Sequence, residues 1–417
     1  MEYIKFLFII ILTFIFLSCS GFESSPENKV HTGADELLFS GINNLKNLNL
    51  GIITNHSAIL SNGKHLIDTL IKIDNIKIKT IFSPEHGFRG NIPDGVTIGK
   101  SIDSATGIPV ISLYGKVRKP TPEMLEGIDV LIFDIQDIGA RFYTYISTLF
   151  LSMQAAAENN VDFIILDRPD PIGGIKVEGP VLEDSLRSFV GIAPLPVRHG
   201  MTVGELGLFF NRPEILGTEK TVNLKIIKMK NWKREFYFDE CGLPWVKPSP
   251  NIVSVEAEIV YPGMCFLEAT NVSEGRGTTT PFLIFGAPFI NSAGLRAELS
   301  KFNIKGLNLT DTVFTPVSIP GMSTSPKYKN QKCYGLKLKV TDREKFEPVK
   351  FGVILLYALH KLYPDTFKLK DKRLSKLFGK SYLPEMIKAG KKPAGIISLW
   401  QKELNEFKKK RKKFLIY

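Results

Sequence analysis

Residues 130–141 read Val-Leu-Ile-Phe-Asp-Ile-Gln-Asp-Ile-Gly-Ala-Arg. The apolar start of this stretch is typical of a strand buried on both faces of a sheet, and polar side chains follow it at once. Similar apolar runs occur at residues 48–54, 78–82, 110–113 and 163–166, and helical patterns at 65–73 and 140–158 separate some of them. This alternation predicts βαβ units and an α/β domain with a mainly parallel sheet.

The second half of the chain has a less regular pattern. Short apolar runs predict strands at residues 224–229, 259–261, 282–285, 313–320 and 336–341, and helices are expected at 349–362 and 393–409. Thr202 and Glu205 have the spacing of a capping box that begins a helix at 202–210. We therefore predict a first domain over residues 35–210 and a smaller α+β domain over 211–417, which carries a basic tail.

The N-terminus has the composition of an export signal. Lys5 precedes an apolar run at residues 6–17, which is too short for a membrane span of roughly 20 residues, and Ser18-Cys19-Ser20 follows. A small residue before cysteine resembles the cleavage and acylation site of bacterial lipoproteins. We predict a signal peptide at 1–18, lipidation of Cys19, a tether at 19–34 and a location in the cell envelope, either periplasmic or anchored to the outer membrane. An uncleaved anchor or an ordinary secreted protein is the alternative.

The net charge of +12 is concentrated at the C-terminal end, because residues 365–417 hold sixteen Lys and Arg against five Asp and Glu. The run at 408–413 is either a solvated helix face or a contact with anionic lipid or cell-wall polymer. The export signal and the lack of a recognition motif argue against nucleic acid. Beyond Cys19 the cysteines are Cys241, Cys265 and Cys333, whose odd number and wide spacing exclude a disulfide scaffold.

Polar clusters follow four of the five predicted strands of the first domain. Ligands of open parallel sheets bind outside the carboxyl ends of the strands, so these clusters predict a site at one edge of the sheet, although each could also cap a helix. The clusters contain Asn55 and His56, then Glu85, His86 and Arg89, then Asp134, Asp137 and Arg141, and finally Arg168 and Asp170.

Glu85 is the sharpest single candidate. It lies in a turn between Pro84, whose φ is fixed, and Gly87, whose φ is free. A partly shielded carboxyl at a strand end suits a general acid. A structural role, as a helix cap or as the partner of Arg89, is the alternative.

Residues 261–281 form a second segment dense in functional groups. Glu268 and Glu274 could face Glu85 across a cleft, and the glycines on either side of Arg276 suggest a loop built for backbone contacts. A purely structural loop remains the alternative. The chain has no G-x-S-x-G, P-loop, H-E-x-x-H or G-x-G-x-x-G motif, and we predict neither a cofactor nor a metal.

Several blocks together resemble the exo-β-N-acetylmuramidase family, long known only as a domain of unknown function. The blocks are Ser83-Pro-Glu-His-Gly-Phe-Arg-Gly, Asp134-Ile-Gln-Asp-Ile-Gly-Ala-Arg-Phe-Tyr-Thr-Tyr, Leu166-Asp-Arg-Pro-Asp-Pro-Ile-Gly-Gly, Pro196-Val-Arg-His-Gly-Met-Thr and the loop 268–281. The resemblance implies a glycoside hydrolase that removes terminal β-1,4-linked N-acetylmuramic acid from peptidoglycan fragments. It also implies a Rossmann-like first domain with the active site at its junction with the second domain.

The resemblance implies that Glu85 is the catalytic acid, while Glu268 and Glu274 stay candidates for the second catalytic group. Muramic acid carries a lactyl carboxylate, and an arginine offers this group two parallel hydrogen bonds; Arg141 or Arg168 is the first expectation. The predicted substrate-binding residues are Asn55, His56, His86, Arg89, Asp134, Asp137, Arg141, Tyr143, Arg168, Asp170, Asn251, Asn271, Arg276 and Thr278.

Two other functions are compatible with the same residues. One is a metal-dependent hydrolase of the cell envelope, in which a divalent cation binds among His56, Glu85, His86, Asp134, Asp137 and Asp167. The other is a surface lipoprotein that captures cell-wall fragments without cleaving them.

Overall fold

A computed structural model describes residues 29–90 and 101–417. The predicted signal peptide, the lipidation residue Cys19 and the tether as far as residue 28 lie outside the described residues. Part of the predicted tether belongs to the folded body, because Val30 is buried and its N–H donates to the carbonyl of Cys241 at 3.1 Å. His31 then forms a β-bridge with Lys230, so the tether ends earlier than residue 34.

A seven-stranded sheet forms the first domain. Its strands are β1 (Asn49–Thr54), β2 (Lys77–Ser83), β3 (Ser101–Ile102), β4 (Pro109–Ser112), β5 (Val130–Asp134), β6 (Asp162–Leu166) and β7 (Leu224–Ile227). They lie in the order β3-β4-β2-β1-β5-β6-β7. All neighbours are parallel except β3 and β4, which confirms the predicted mainly parallel sheet.

The central strands are buried on both faces, as their apolar sequences predict. Leu131 and Phe133 of β5 pack into one core, whereas Val130 and Ile132 pack into another on the opposite face. The helices that belong to this domain are α1 (Gly33–Glu36), α2 (Leu66–Leu70), α3 (Pro122–Leu125), α4 (Tyr145–Asn159), α5 (Val203–Phe210) and α6 (Pro213–Leu216). Thr202 and Glu205 form the predicted capping box at the start of α5.

The second domain combines a three-stranded antiparallel sheet with helices. Its strands are β8 (Ile284–Ala287), β9 (Leu307–Phe314) and β10 (Cys333–Val340), in the order β8-β10-β9. The helices are α7 (Val255–Met264), α8 (Ser292–Leu299), α9 (Pro348–Leu362), α10 (Asp371–Phe378), α11 (Leu383–Lys388), α12 (Pro393–Ser398) and α13 (Gln401–Arg411). One apolar core runs from the α4 face of the first sheet into this domain, so the two domains pack closely.

Several predictions for the second half of the chain were wrong, although the strand predicted at residues 224–229 is present. The run at residues 224–229 forms β7, which pairs with β6 and extends the first sheet past the predicted boundary at 210 and 211. Residues 259–261 lie inside α7, because a three-residue apolar run does not distinguish a strand from a buried helix. The strand predicted at 313–320 ends at Phe314, and the helix predicted at 393–409 is divided into α12 and α13.

The basic C-terminal segment folds back onto the first domain. The guanidinium group of Arg411 is buried and donates to the carbonyls of Gly174 at 3.0 Å and Ile175 at 3.2 Å. The Tyr417 hydroxyl donates to Oδ2 of Asp167 at 2.7 Å. In the described part of the chain, no helix has both the length and the apolar character that crossing a membrane requires.

Glu258 on α7 is a fully buried acid, and neither of its carboxylate oxygens has a hydrogen-bond partner among the described residues. Burial raises its pKa well above the usual 4.5, and the nearby Asp137 and Asp170 raise it further. Burial likewise raises the pKa of Asp170 to about 6 and that of Asp167 to about 7. A charged Glu258 would be unsatisfied in this interior, so we infer that the folded protein holds it protonated.

A protonated Glu258 predicts that Glu258→Gln reduces the loss of stability as the pH rises above about 4.5. The folded state keeps the proton that the unfolded chain releases near pH 4.5. Its stabilising effect is therefore complete below that pH and is lost as the pH rises toward the folded-state pKa, by about 1.4 kcal/mol for each pH unit. Denaturant unfolding at pH 5 and pH 8 should show a smaller difference for the variant than for the wild type; equal differences would contradict the inference.

Candidate active site

A cavity of about 960 Å³ lies at the junction of the two domains. The first domain contributes the turn after β2, the loop after β4 and the start of α4. The second contributes α7, the loop at 268–282, the loop at 322–327 and α10. The residues that carry chemistry there are Glu85, His86, Tyr114, Arg118, Tyr143, Thr144, Tyr261, Cys265, Glu268, Glu274, Arg276, Lys327, Lys370, Lys372, Arg373 and Lys376.

The turn after β2 carries Glu85 into this cavity. The hydroxyl of Thr144, just before α4, donates to Oε2 of Glu85 at 2.9 Å. His86 and Gly87 follow with φ angles of 71° and 73°, a left-handed conformation that costs a non-glycine residue such as histidine free energy. The surrounding structure enforces this turn, which fixes the direction of Glu85.

Arg276 is held between the two carboxylates of its own loop. Its guanidinium lies 3.0 Å from Oε1 of Glu268 and 3.3 Å from Oε1 of Glu274. The second oxygens are also engaged, because Oε2 of Glu268 lies 2.5 Å from Arg373 and Oε2 of Glu274 lies 2.8 Å from Lys327. Each of the four carboxylate oxygens therefore contacts a cationic side chain.

These cations decide the charge of Glu268. Burial acts to raise its pKa, but Arg276 and Arg373 outweigh burial, and the net effect lowers the pKa. Glu268 is thus ionised at neutral pH, which suits a fixed negative charge and not a proton donor.

Aromatic rings form one wall of the cavity. Tyr261 lies edge-on to Phe142, Tyr143 and Phe282, with ring centroids 5.4, 6.2 and 4.9 Å away. Phe282 has a φ of 64°. It is the second non-glycine residue at this cavity, after His86, whose backbone has a strained left-handed conformation. Burial raises the pKa of Tyr261 well above 10, so its hydroxyl stays neutral and can form hydrogen bonds.

Cationic side chains with no acidic partner among the described residues line the cavity. Three lie on or just before α10: Lys370, Lys372 and Lys376. Arg118 lies on the opposite side, with its guanidinium 4.6 Å from the ring centroid of Phe189. These four residues were not among those predicted from the sequence, although the basic excess after residue 365 was a signal for the three lysines.

The structure brings together Glu85, His86, Tyr143, Glu268, Glu274 and Arg276 of the predicted site, and it places the other predicted residues outside the cavity. Arg141 is fully buried and donates to the carbonyls of Pro180, Leu195 and Leu377, and burial lowers its pKa to about 9. Arg168 forms a buried ion pair with Asp134. Neither arginine is placed to meet a lactyl carboxylate in this cavity.

The remaining predicted residues make local structural contacts. In the first domain, Asn55 accepts from the amide and hydroxyl of Ser57, His56 bonds to the carbonyl of Lys247, and Arg89 pairs with Asp103. Asp137 accepts from the amide of Gly139, and Asp170 accepts from the amide of Ile172. Asn251 donates to the carbonyl of Met322, Asn271 bonds to the backbone of residues 366 and 368, and Thr278 donates to the carbonyl of Gly275. These contacts fix turns and loops around the cavity.

The residues that a metal-dependent hydrolase would need are dispersed. Asp134 pairs with Arg168, Asp167 accepts from Thr202 and Tyr417, and only Glu85 and His86 line the cavity. No group of three His, Cys, Asp or Glu is arranged to hold a metal within residues 29–90 and 101–417.

Known proteins resemble this chain over nearly its whole length. It is 45% identical over 396 residues to the peptidoglycan β-N-acetylmuramidase NamZ of Bacillus subtilis, a match that covers 95% of this chain and 93% of the relative. Two solved DUF1343 family proteins from Bacteroides fragilis share the fold. One has a TM-score of 0.86 and 34% identity, covering 94% of this chain and all of the other; the second has a TM-score of 0.75 and 36% identity, covering 93% and 99%.

The family assignment rests on both domains. The N-terminal domain of exo-β-N-acetylmuramidase NamZ matches residues 50–256, and the C-terminal domain matches residues 259–417. The first match includes β7 and ends before the second match begins at residue 259. This agrees with the structure, in which β7 belongs to the sheet of the first domain. The chain therefore belongs to the exo-β-N-acetylmuramidase NamZ family.

Proposed function

We propose that this protein is an exo-acting glycoside hydrolase that removes terminal β-1,4-linked N-acetylmuramic acid from peptidoglycan fragments. The near full-length match to a peptidoglycan β-N-acetylmuramidase supports the activity. The single observation that supports a mechanism for this activity is the position of Glu85. Glu85 lines a cavity large enough for a disaccharide and faces a cation-rich second domain.

Glu85 is the proposed general acid. Glycoside hydrolysis needs a proton on the leaving oxygen, and a carboxyl group within hydrogen-bond reach supplies it. The Thr144 hydroxyl holds Oε2 of Glu85, and the strained turn at His86 fixes the backbone. Together these contacts orient the carboxyl group before the substrate binds, which reduces the cost of reaching the transition state.

Glu268 and Glu274 are proposed to position Arg276. A carboxylate nucleophile needs an oxygen free to attack the sugar, but all four oxygens of this pair are held by Arg276, Arg373 or Lys327. The acetamido oxygen of the substrate is then the better candidate for the second group, in a substrate-assisted reaction. On this account the two glutamates hold Arg276 in place and balance the charge of the cavity.

Arg118 is proposed to bind the lactyl carboxylate in place of Arg141 or Arg168. It lines the cavity, has no acidic partner in the described part of the chain, and stacks on Phe189. An arginine already stacked on a ring loses little freedom when it forms two hydrogen bonds to a carboxylate.

We also propose that the protein is exported and lipidated at Cys19, and that it acts in the cell envelope, in the periplasm or anchored to the outer membrane. The leader at residues 1–18 and the Ser18-Cys19 pair support this proposal. An envelope location brings the enzyme to peptidoglycan fragments.

Glu85→Gln should lose at least about 100-fold in kcat, because the amide cannot donate the proton on which a general acid depends. The measurement is release of N-acetylmuramic acid from a muramic-acid-ended disaccharide in the presence of a chelator. Glu126→Gln, an exposed change outside the cavity, is the matched control and should keep full activity.

Two outcomes would contradict the proposal. Loss of wild-type activity in the chelator would favour a metal-dependent hydrolase. Saturable binding of the disaccharide by wild type and variant, with no release of sugar, would favour a protein that captures fragments without cleaving them.

Arg118→Met should raise KM for a chromogenic β-N-acetylmuramide by about 10- to 100-fold, the range expected for a lost charge-assisted hydrogen bond. The same change should leave any turnover of the N-acetylglucosaminide unchanged, since that sugar lacks the lactyl group. Lys116→Met removes a nearby charge outside the cavity and serves as the control. Equal effects of Arg118→Met on both sugars would rule out recognition of the lactyl carboxylate.

A further inference from the structure

Helix α13 has one buried face and one basic face. Leu404, Phe407 and Arg411 are buried on the inner face. Lys402 and Lys409 are seven residues apart, so the helical repeat places both on the outer face, where they are exposed. Lys413 is also exposed and lies in the 3-10 turn Lys412–Phe414 that directly follows the helix.

Further lysines extend this basic face. Lys410 and Lys412 flank it and are also exposed. No ion pair joins any of these lysines to an acid in the described part of the chain. Glu403 is already engaged with Lys380 at 2.8 Å, and Glu406 adds one negative charge. The face therefore carries a clear excess of positive charge.

Val30 lies beside Tyr417, which ends the segment that contains α13. Val30 packs with Met229, Trp232 and Cys241, and Tyr417 packs against the same cluster. The rings of Tyr417 and Trp232 are 5.1 Å apart, and the Tyr417 hydroxyl accepts from the amide of Met229 at 2.7 Å. Val30, from which the sequence leads back toward Cys19, thus lies next to Tyr417.

We infer that the basic face of α13, through Lys413, binds the surface of a membrane that contains anionic phospholipid. A basic patch beside a lipid anchor adds electrostatic attraction to anionic headgroups. A chain anchored at Cys19 would hold this patch near the bilayer because only residues 20–29 separate Cys19 from Val30. The placement favours a lipid surface over a soluble polyanion.

The basic face is separate from the substrate cavity. None of its lysines lines that cavity, so membrane binding and catalysis are separable.

The test uses the chain from Ser20 to Tyr417, which contains every described residue and lacks the acylation site. Co-sedimentation is measured with vesicles of phosphatidylcholine alone and of phosphatidylcholine with phosphatidylglycerol, at low and high salt. The variant is Lys402→Glu, Lys409→Glu and Lys413→Glu combined. The matched control is Lys305→Glu, Lys329→Glu and Lys337→Glu, three exposed lysines of the second domain with the same change in charge.

The inference predicts binding to anionic vesicles only, weakened by salt, and at least about tenfold weaker in the α13 variant than in the control. Muramide cleavage in solution should be the same in all three proteins, which checks folding and separates this test from that of the proposed function. Failure of the wild type to bind anionic vesicles, equal loss in the control, or binding to soluble peptidoglycan instead of vesicles would each overturn the inference.

Discussion

The ion pair between Asp134 and Arg168 closes the carboxyl edge of the central sheet. Nε and Nη2 of Arg168 donate to the two oxygens of Asp134 at 2.6 and 3.0 Å, and both side chains are buried. All parallel strands end at the same edge, so each leaves polar groups there that must find partners or face a ligand. Asp134 ends β5 and Arg168 follows β6, and their mutual pairing removes both from solvent. After the end of β2, in contrast, the carboxyl group of Glu85 reaches the cavity.

The sequence was sufficient to predict the parallel sheet and the edge of the sheet beside which the cavity lies, because both follow from apolar runs and strand polarity. It was not sufficient to separate residues that face a ligand from residues that seal the edge. Asn55, Asp137 and Asp170 belong to the same kind of cluster as Glu85 but bind to backbone groups nearby. Arg118 and the lysines of α10 were missed because they come from distant parts of the chain, and tertiary packing alone brings them to the cavity. The strand β7 was assigned to the wrong domain for the same reason.

The second domain supplies most of the charged side chains of the cavity. Glu268 and Glu274 hold Arg276 from two sides, and Arg373 and Lys327 hold the outer oxygens. Lys327 also donates to the carbonyls of Leu267 and Val272, which fixes the loop that carries it. Such a network is rigid, so its electrostatic field is set before the substrate binds. In the proposed mechanism, the first domain provides the proton donor, Glu85, and the second provides the fixed charges.

The most direct test of this account is a crystal structure of the Glu85→Gln protein with a disaccharide of N-acetylmuramic acid linked β-1,4 to N-acetylglucosamine. The account predicts that the glycosidic oxygen lies about 2.6–3.2 Å from the substituted side chain, the reach of a general acid. It also predicts that the lactyl carboxylate contacts Arg118 and that the acetamido group, not Glu268 or Glu274, lies beneath the anomeric carbon. A sugar bound at the edge sealed by Asp134 and Arg168, or one whose glycosidic oxygen is remote from residue 85, would contradict it.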